Sequence, residues 1–166
     1  MTKEESRSWM LVASLFVALA IVWGVGYDII GVFFHPLHKQ YGWDRTHLSL
    51  LATSLSISYG ISLPLVGWML DHVDARVVIG FGAATVGLAM AVASRADSLT
   101  MLLASYFLLG IGTAAASIMP ASFVIANWFG DRRGTALGLA TAGVPVGEWT
   151  MTLVASYSIV LSGRRT

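Results

Sequence analysis

Five apolar runs separated by short polar breaks fill almost the whole chain, and each is long enough to cross a bilayer as a helix. The first, residues 9–34, follows a polar head at residues 1–8 and, at about 1.5 Å per residue, exceeds what a hydrocarbon core of about 30 Å requires. It is too long for a signal-peptide core and has no small-residue cleavage site after it, so it reads as an uncleaved span. Residues 35–47 are polar and contain Pro36 and Gly42, the marks of a loop. A second span is expected over 48–70. The charged break at 71–76 stops it, and a third span follows over 77–93. Arg95, Asp97 and Ser98 make a turn before a fourth span at 99–129, which has surplus length for tilt. The stretch from Gly130 to Arg133 closes that span, and a fifth is expected over 134–161. The pattern predicts an all-α integral membrane protein of about five transmembrane helices. Its short loops predict antiparallel neighbours, with the two ends of the bundle on opposite sides of the lipid bilayer.

Composition agrees with that class. Hydrophobic residues make up 56% of the chain and charged ones 11%, too few polar groups to clothe a soluble globule. A formal charge of +1 supplies no basic patch, which argues against nucleic acid as a partner. There is no cysteine, hence no disulfide framework or thiolate metal site. His35, His38 and His47 share one polar stretch and read as solvated loop histidines, so no metal is expected. No nucleophile and base set appears either, and neither an enzyme nor a cofactor is expected. Loop cations do not orient the chain: Lys3, Arg7, Arg76, Arg132 and Arg133 on one side balance Lys39, Arg45, Arg95, Arg164 and Arg165 on the other. Setting Arg164 and Arg165 aside as a truncated end favours a cytoplasmic N-terminus in a plasma or inner membrane.

Two carboxylates lie inside the apolar runs, where ionisable groups are costly and commonly mark a substrate or proton path. Asp28 is about six residues, or about 9 Å of helix, from the far end of the first span. Its helical neighbours Ala20, Gly24 and Gly31 form a small-residue stripe, so it is expected to face the bundle or a wet cavity. It reads as a coupling site or counter-charge for substrate, or as a carboxylate paired structurally near the interface. Glu148 is deeper, about 20 Å of helix from either end of the fifth span, with Thr141 and Thr152 on its face. It reads as a proton-coupling carboxylate, or as a protonated side chain hydrogen-bonded to a neighbouring helix.

The glycines have a plainer reading. Gly134 with Gly138, Gly143 with Gly147, and Gly110 with Ala114 are small-residue pairs four apart, a spacing that favours close helix packing. Pro145 lacks an N–H and is expected to weaken the fifth span just before Glu148. Trp9, Trp43 and Trp128 fall at expected interfaces and read as anchoring residues.

Three segments together resemble the major facilitator superfamily, within it the monocarboxylate transporter and oxalate/formate antiporter group. Residues 31–37 (GVFFHPL) followed by residues 41–45 (YGWDR) are similar to the end of that group's first helix and the loop after it. Residues 67–76 (GWMLDHVDAR) resemble the signature loop between helices two and three, agreeing at Gly67, Asp71 and Arg76 and departing at Met69, His72 and Asp74. Residues 127–138 (NWFGDRRGTALG) resemble the connection between helices four and five. The resemblance implies a gating latch for Asp71 and Arg76, with Asp71 at a helix dipole and Arg76 paired with it or with lipid phosphate. A loop that only fixes topology is the alternative. Gly110 begins a stretch similar to the glycine end of the fourth-helix motif of proton-coupled members; Tyr106 stands where that motif has Arg and is a third candidate for proton coupling or substrate contact.

The family has twelve spans in two halves, with substrate held between them. The resemblance therefore implies a truncated N-terminal portion of the six-helix half, which needs the missing C-terminal half or a second copy of the chain for activity. It implies a secondary transporter that moves a small-molecule solute, an organic anion, with protons or by exchange. A non-transporting membrane fragment or small interaction module is the alternative.

Overall fold

The computed structural model describes residues 3–26, 45–96, 98–130 and 132–163. Seven helices account for nearly all of them: α1 (Lys3–Gly26), α2 (Arg45–His72), α3 (Ala75–Ala93), α4 (Leu99–Ala115), α5 (Ile118–Trp128), α6 (Arg133–Thr141) and α7 (Gly143–Gly163). No strand occurs among the described residues. α4 with α5, and α6 with α7, each follow one of the apolar runs, so the helices make five units. Three stretches of the described residues are long and apolar enough to cross a membrane: Ser49–His72, Ala75–Ala93 and Leu99–Trp128. α1 begins at Lys3, inside the stretch expected as a polar head, because polar side chains do not prevent a helix from continuing into water.

The two divided runs share a local cause. Pro120 and Pro145 are each the third residue of the second helix, within a first turn whose N–H groups have no partner to lose. Neither proline can donate to the carbonyl four residues earlier, and the preceding helix ends close to that point, at Ala115 and Thr141. Ser117 caps α5, its hydroxyl accepting from the Met119 N–H and donating to the Ala114 carbonyl. Pro64 is different: it lies inside α2, which runs through it unbroken.

Packing does not follow sequence order. α4 lies between α2 and α3, and α7 lies along α1. α2 and α4 are parallel, since Ser54 donates to the Leu103 carbonyl at 3.2 Å while Ser58 and Leu55 face Gly110. α1 and α7 are also parallel, with Phe16 against Gly143 and Ala20 against Gly147. Consecutive spans were expected to be antiparallel neighbours, and α3 with α4 are: Gly82 meets Ala115 and Ala116, and Val86 meets Gly112. The difference elsewhere lies in where small residues allow backbones to touch.

Glycine makes those contacts possible. A Cβ on Gly110 would strike Ser58 and the Leu55 carbonyl of α2, and one on Gly112 would lie 2.8 Å from the Val86 nitrogen of α3. Two residues on a helix are about 200° apart, so these glycines serve opposite faces of α4. On α7, a Cβ at Gly143 or Gly147 would collide with the carbonyl of Phe16 or Ala20, while one on Gly24 of α1 would meet the Gly147 oxygen at 2.6 Å. Gly134 and Gly138 face open space.

Three apolar clusters complete the interior. One joins α1, α5 and α6 through Leu15, Leu19, Ile125 and Ala140. The other two lie among α2, α3 and α4, around Leu55 and Leu109 and around Val66 and Val78. Hydroxyls buried there bond to carbonyls of their own helix, as in Ser105 to Leu102 at 2.7 Å and Thr113 to Leu109 at 2.8 Å. That satisfies them where no water is at hand.

The Gly147→Val protein should lose about 1–3 kcal/mol to overpacking against the α1 backbone. Gly87 has open space around it, so Gly87→Ala should hold or gain up to about 1 kcal/mol of helix propensity. Thermal unfolding in detergent compares the two; equal midpoints would show that α7 does not depend on this backbone contact.

Candidate functional site

The polar ends of α2, α3, α5 and α6 meet at one end of the bundle, the end at which α1 begins. α2 arrives there at His72, α3 leaves from Ala75, α5 arrives at Trp128 and α6 leaves from Arg133. Two of the family-like segments, distant in sequence, are thereby brought together around α5, and a pocket opens on each side of it.

The first pocket, of ≈690 Å³, holds Gly67 and Asp71 from the end of α2 and Arg133 from the start of α6, with Ser122 and Phe123 of α5 between them. The Arg133 side chain is anchored, its Nε donating to the Phe129 carbonyl at 2.6 Å. Asp71 is exposed in the last turn of α2, where its own helix dipole disfavours a negative charge. Gly67 lies beside Met119, whose methyl group would be 3.1 Å from a Cβ there. An acid and a cation line one pocket, an arrangement that can hold or release a polar partner at this end.

The second pocket, of ≈580 Å³, lies between α1, the start of α3 and α5, and includes Asp74, Arg76 and Asn127. Asp74 caps α3: its carboxylate accepts the Arg76 backbone N–H at 3.0 Å. The carboxylate at that helix N-terminus is thus Asp74, and among the described residues no ion pair joins Asp71 to Arg76. This role for Asp74 was missed in reading the sequence, although an aspartate immediately before an apolar helical run is an ordinary start signal. His72 turns back on α2, its Nδ1 2.9 Å from the Trp68 carbonyl and its ring 4.7 Å from the indole.

Glu148 is far from these pockets along the helix. It lies on α7 beside Gly147 and is half-buried, while the next residue, Trp149, is 75% exposed. The nearby hydroxyls bond within the helix: Thr152 donates to the Glu148 carbonyl at 2.8 Å and Thr150 to the Val146 carbonyl at 2.8 Å. Thr141 likewise bonds to the Leu137 carbonyl, in the turn before Pro145. No described residue hydrogen-bonds to the Glu148 carboxylate. Tyr106 is buried in the α2–α3–α4 cluster, and α4 does not touch α7, so the structure does not bring Tyr106 and Glu148 together. Asp28 lies outside the described residues.

One contact at depth was not foreseen. Trp23 of α1 and Tyr59 of α2 meet edge to face at 6.2 Å and bridge two helices that otherwise do not pack together. No periodicity in either helix singles this pair out.

Residues 8–165 match the family model of the Major Facilitator Superfamily. The chain belongs to the Major Facilitator Superfamily. Among curated members it is similar to Monocarboxylate transporter 13 of Rattus norvegicus, with 30% identity over 141 residues that cover 85% of this chain and 33% of the relative. Monocarboxylate transporter 6 of Mus musculus is 28% identical over 159 residues, 95% of this chain and 34% of the relative. The Probable anion transporter 4, chloroplastic, of Arabidopsis thaliana is 30% identical over 142 residues, 83% of this chain and 26% of the relative. The chain spans about a third of the length of the first two of these relatives. No solved structure matches it. Superfamily membership and the apolar helices make it a membrane protein, and its relatives are transporters, a class distinct from enzymes.

Replacing Asp74 with Ala should cost about 1 kcal/mol through loss of the α3 cap. Hydrogen exchange at the first-turn amides of α3 should quicken in Asp74→Ala and stay unchanged in Asp71→Asn. The opposite ranking would assign the cap to Asp71.

Proposed function

We propose that this chain forms part of a secondary active transporter that moves a small organic anion by alternating access, coupled to protons or by exchange. The reading rests on superfamily membership together with similarity to proteins named as monocarboxylate and anion transporters. The observation that carries the coupling step is Glu148, a carboxylate held half-buried along an apolar helix with no described hydrogen-bond partner. A carboxylate so placed changes charge with the proton it takes up, and a change of charge between helices alters which packing is favoured. Asp28 is the second candidate, as counter-charge or coupling group.

Alternating access needs a second bundle for this one to move against, supplied by a C-terminal half or by a second copy of the chain. The pocket shared by Gly67, Asp71 and Arg133 is proposed as the latch between the two, at the cytoplasmic end if the N-terminus is cytoplasmic. The plasma or inner membrane is the proposed location.

In proteoliposomes holding the transporting assembly, uptake of a labelled monocarboxylate should rise with an inward proton gradient, and Glu148→Gln should abolish that dependence. Full activity with unchanged pH dependence would remove Glu148 from the coupling step. Asp71→Asn should change the rate of transport while membrane insertion stays normal. Altered insertion with normal kinetics would make the loop a topology signal only.

A further inference from the structure

We propose that Trp9 is a positioning residue for Arg133, acting through Phe129 to hold the Arg133 side chain in the pocket it shares with Gly67 and Asp71. The role rests on that pocket being the latch proposed above, and it makes α1 one of the elements that control it. Arg133 is exposed at the first residue of α6, and a long, exposed side chain has many rotamers open to it. Among the described residues its tether is one bond, Nε donating to the Phe129 carbonyl at 2.6 Å. With Nε engaged, the other four guanidinium N–H donors remain for a partner in the pocket.

The direction of that carbonyl has little local support. Phe129 ends α5 in an extended conformation (φ −117°, ψ 124°), so its carbonyl leaves the helix ladder, and the next residue, Gly130, has no side chain and open space where a Cβ would lie. α6 begins without a side-chain cap at Arg132, unlike α3, α4 and α5, which start on Asp74, Ser98 and Ser117. The peptide between residues 129 and 130 is therefore fixed from the Phe129 side. There the Phe129 N–H donates to the Ile125 carbonyl at 2.9 Å, and the buried ring meets Trp9 edge to face at 5.6 Å, with 70° between the planes. Ile125 belongs to α5 itself, whereas Trp9 belongs to α1, so the indole registers the carbonyl against a second helix. A shift of α1 that draws the indole from Phe129 lets the carbonyl turn, and Arg133 with it.

Nuclear magnetic resonance of the full chain in detergent micelles tests this through exchange of the Arg133 Nε–H with water, the signal being assigned by its loss in Arg133→Lys. Trp9→Ala should speed that exchange roughly ten-fold, the loss of one hydrogen bond from a charged donor. Phe129→Leu, which keeps an apolar side chain but no ring, should do the same, and it decides the matter where Trp9→Ala does not fold. Trp9→Phe, which keeps a ring on Phe129, should retain the protection. Trp23→Ala, which removes the comparable indole contact with Tyr59, should leave the exchange unchanged even where it lowers the thermal midpoint. In the transporting assembly, Trp9→Ala and Arg133→Gln should change the uptake rate in the same direction. Unchanged exchange in Trp9→Ala and Phe129→Leu, or equal acceleration by Trp23→Ala, would overturn the positioning role. Uptake altered by Arg133→Gln but not by Trp9→Ala would overturn the control by α1. Faster exchange in Trp9→Ala with uptake unaltered by Arg133→Gln would support the positioning contact and overturn the latch reading alone.

Discussion

Backbone-to-backbone contact at glycine is the constraint on which the rest of this bundle depends. In a membrane, helices gain little by hiding apolar side chains from one another, because lipid is as apolar as leucine, so close approach must come from shape. Gly110 and Gly112 let α4 touch α2 on one side and α3 on the other, and Gly143 and Gly147 let α7 lie on the carbonyls of α1. Large apolar side chains are consequently left outside: Ile61 and Leu65 on α2, Leu153 and Tyr157 on α7 are all more than half exposed. In water such a surface would be unstable; against lipid or another bundle it is ordinary.

The apolar clusters fall into two groups, joined by one broken span and by contacts of α5 with α2 and α3 and of α1 with α3 and α4. α2, α3 and α4 share two apolar clusters; α1, α5 and α6 share the third, with α7 seated on α1. α4 and α5 belong to the same span yet lie in different groups. The interruption at Ala116 and Ser117 permits this, because a straight helix keeps its faces in one phase whereas a break resets them. Pro120 supplies the cause and the Ser117 cap limits the cost. Trp23 against Tyr59 adds a link between α1 and α2, made by side chains across helices too far apart for backbone contact.

Membrane class and helix content were legible in the sequence because they depend on run length, which survives any detail of packing. The glycines at 110, 143 and 147 were legible as packing residues because their spacing places them on one helix face, but spacing could not say which helix they would meet. Gly134 and Gly138 have the same spacing and meet nothing. Gly82 meets Gly112 and Ala116, a small-residue pair four apart that the sequence reading did not single out. At the polar end, the resemblance drew attention to Asp71 and Arg76, while the carboxylate that caps the helix is Asp74, the residue that departs from the family pattern. Local capping chemistry identifies Asp74 from the sequence once the helix start is known to lie at Ala75 rather than at 77. What was not legible is the placing of Asp71 and Arg133 on the walls of one pocket, which depends on two connections returning to the same end of the bundle.

The position of Glu148 follows from the glycine before it. Gly143 and Gly147 tie one face of α7 to α1, and neither can rotate away without placing a side chain on a carbonyl. With about 100° between successive residues, Glu148 must then lie on the flank of that contact, and Trp149, about 200° round, must face away. Burial records this sequence of angles: Gly147 is buried, Glu148 half-buried and Trp149 exposed. A carboxylate on the contact line would be sealed against α1, and one opposite it would point outward with Trp149. The flank is the azimuth at which an ionisable group stays inside the bundle's edge and still reaches space outside the α1–α7 seam. A small residue one position earlier therefore sets the surroundings of the charge, with no bond to the charge itself.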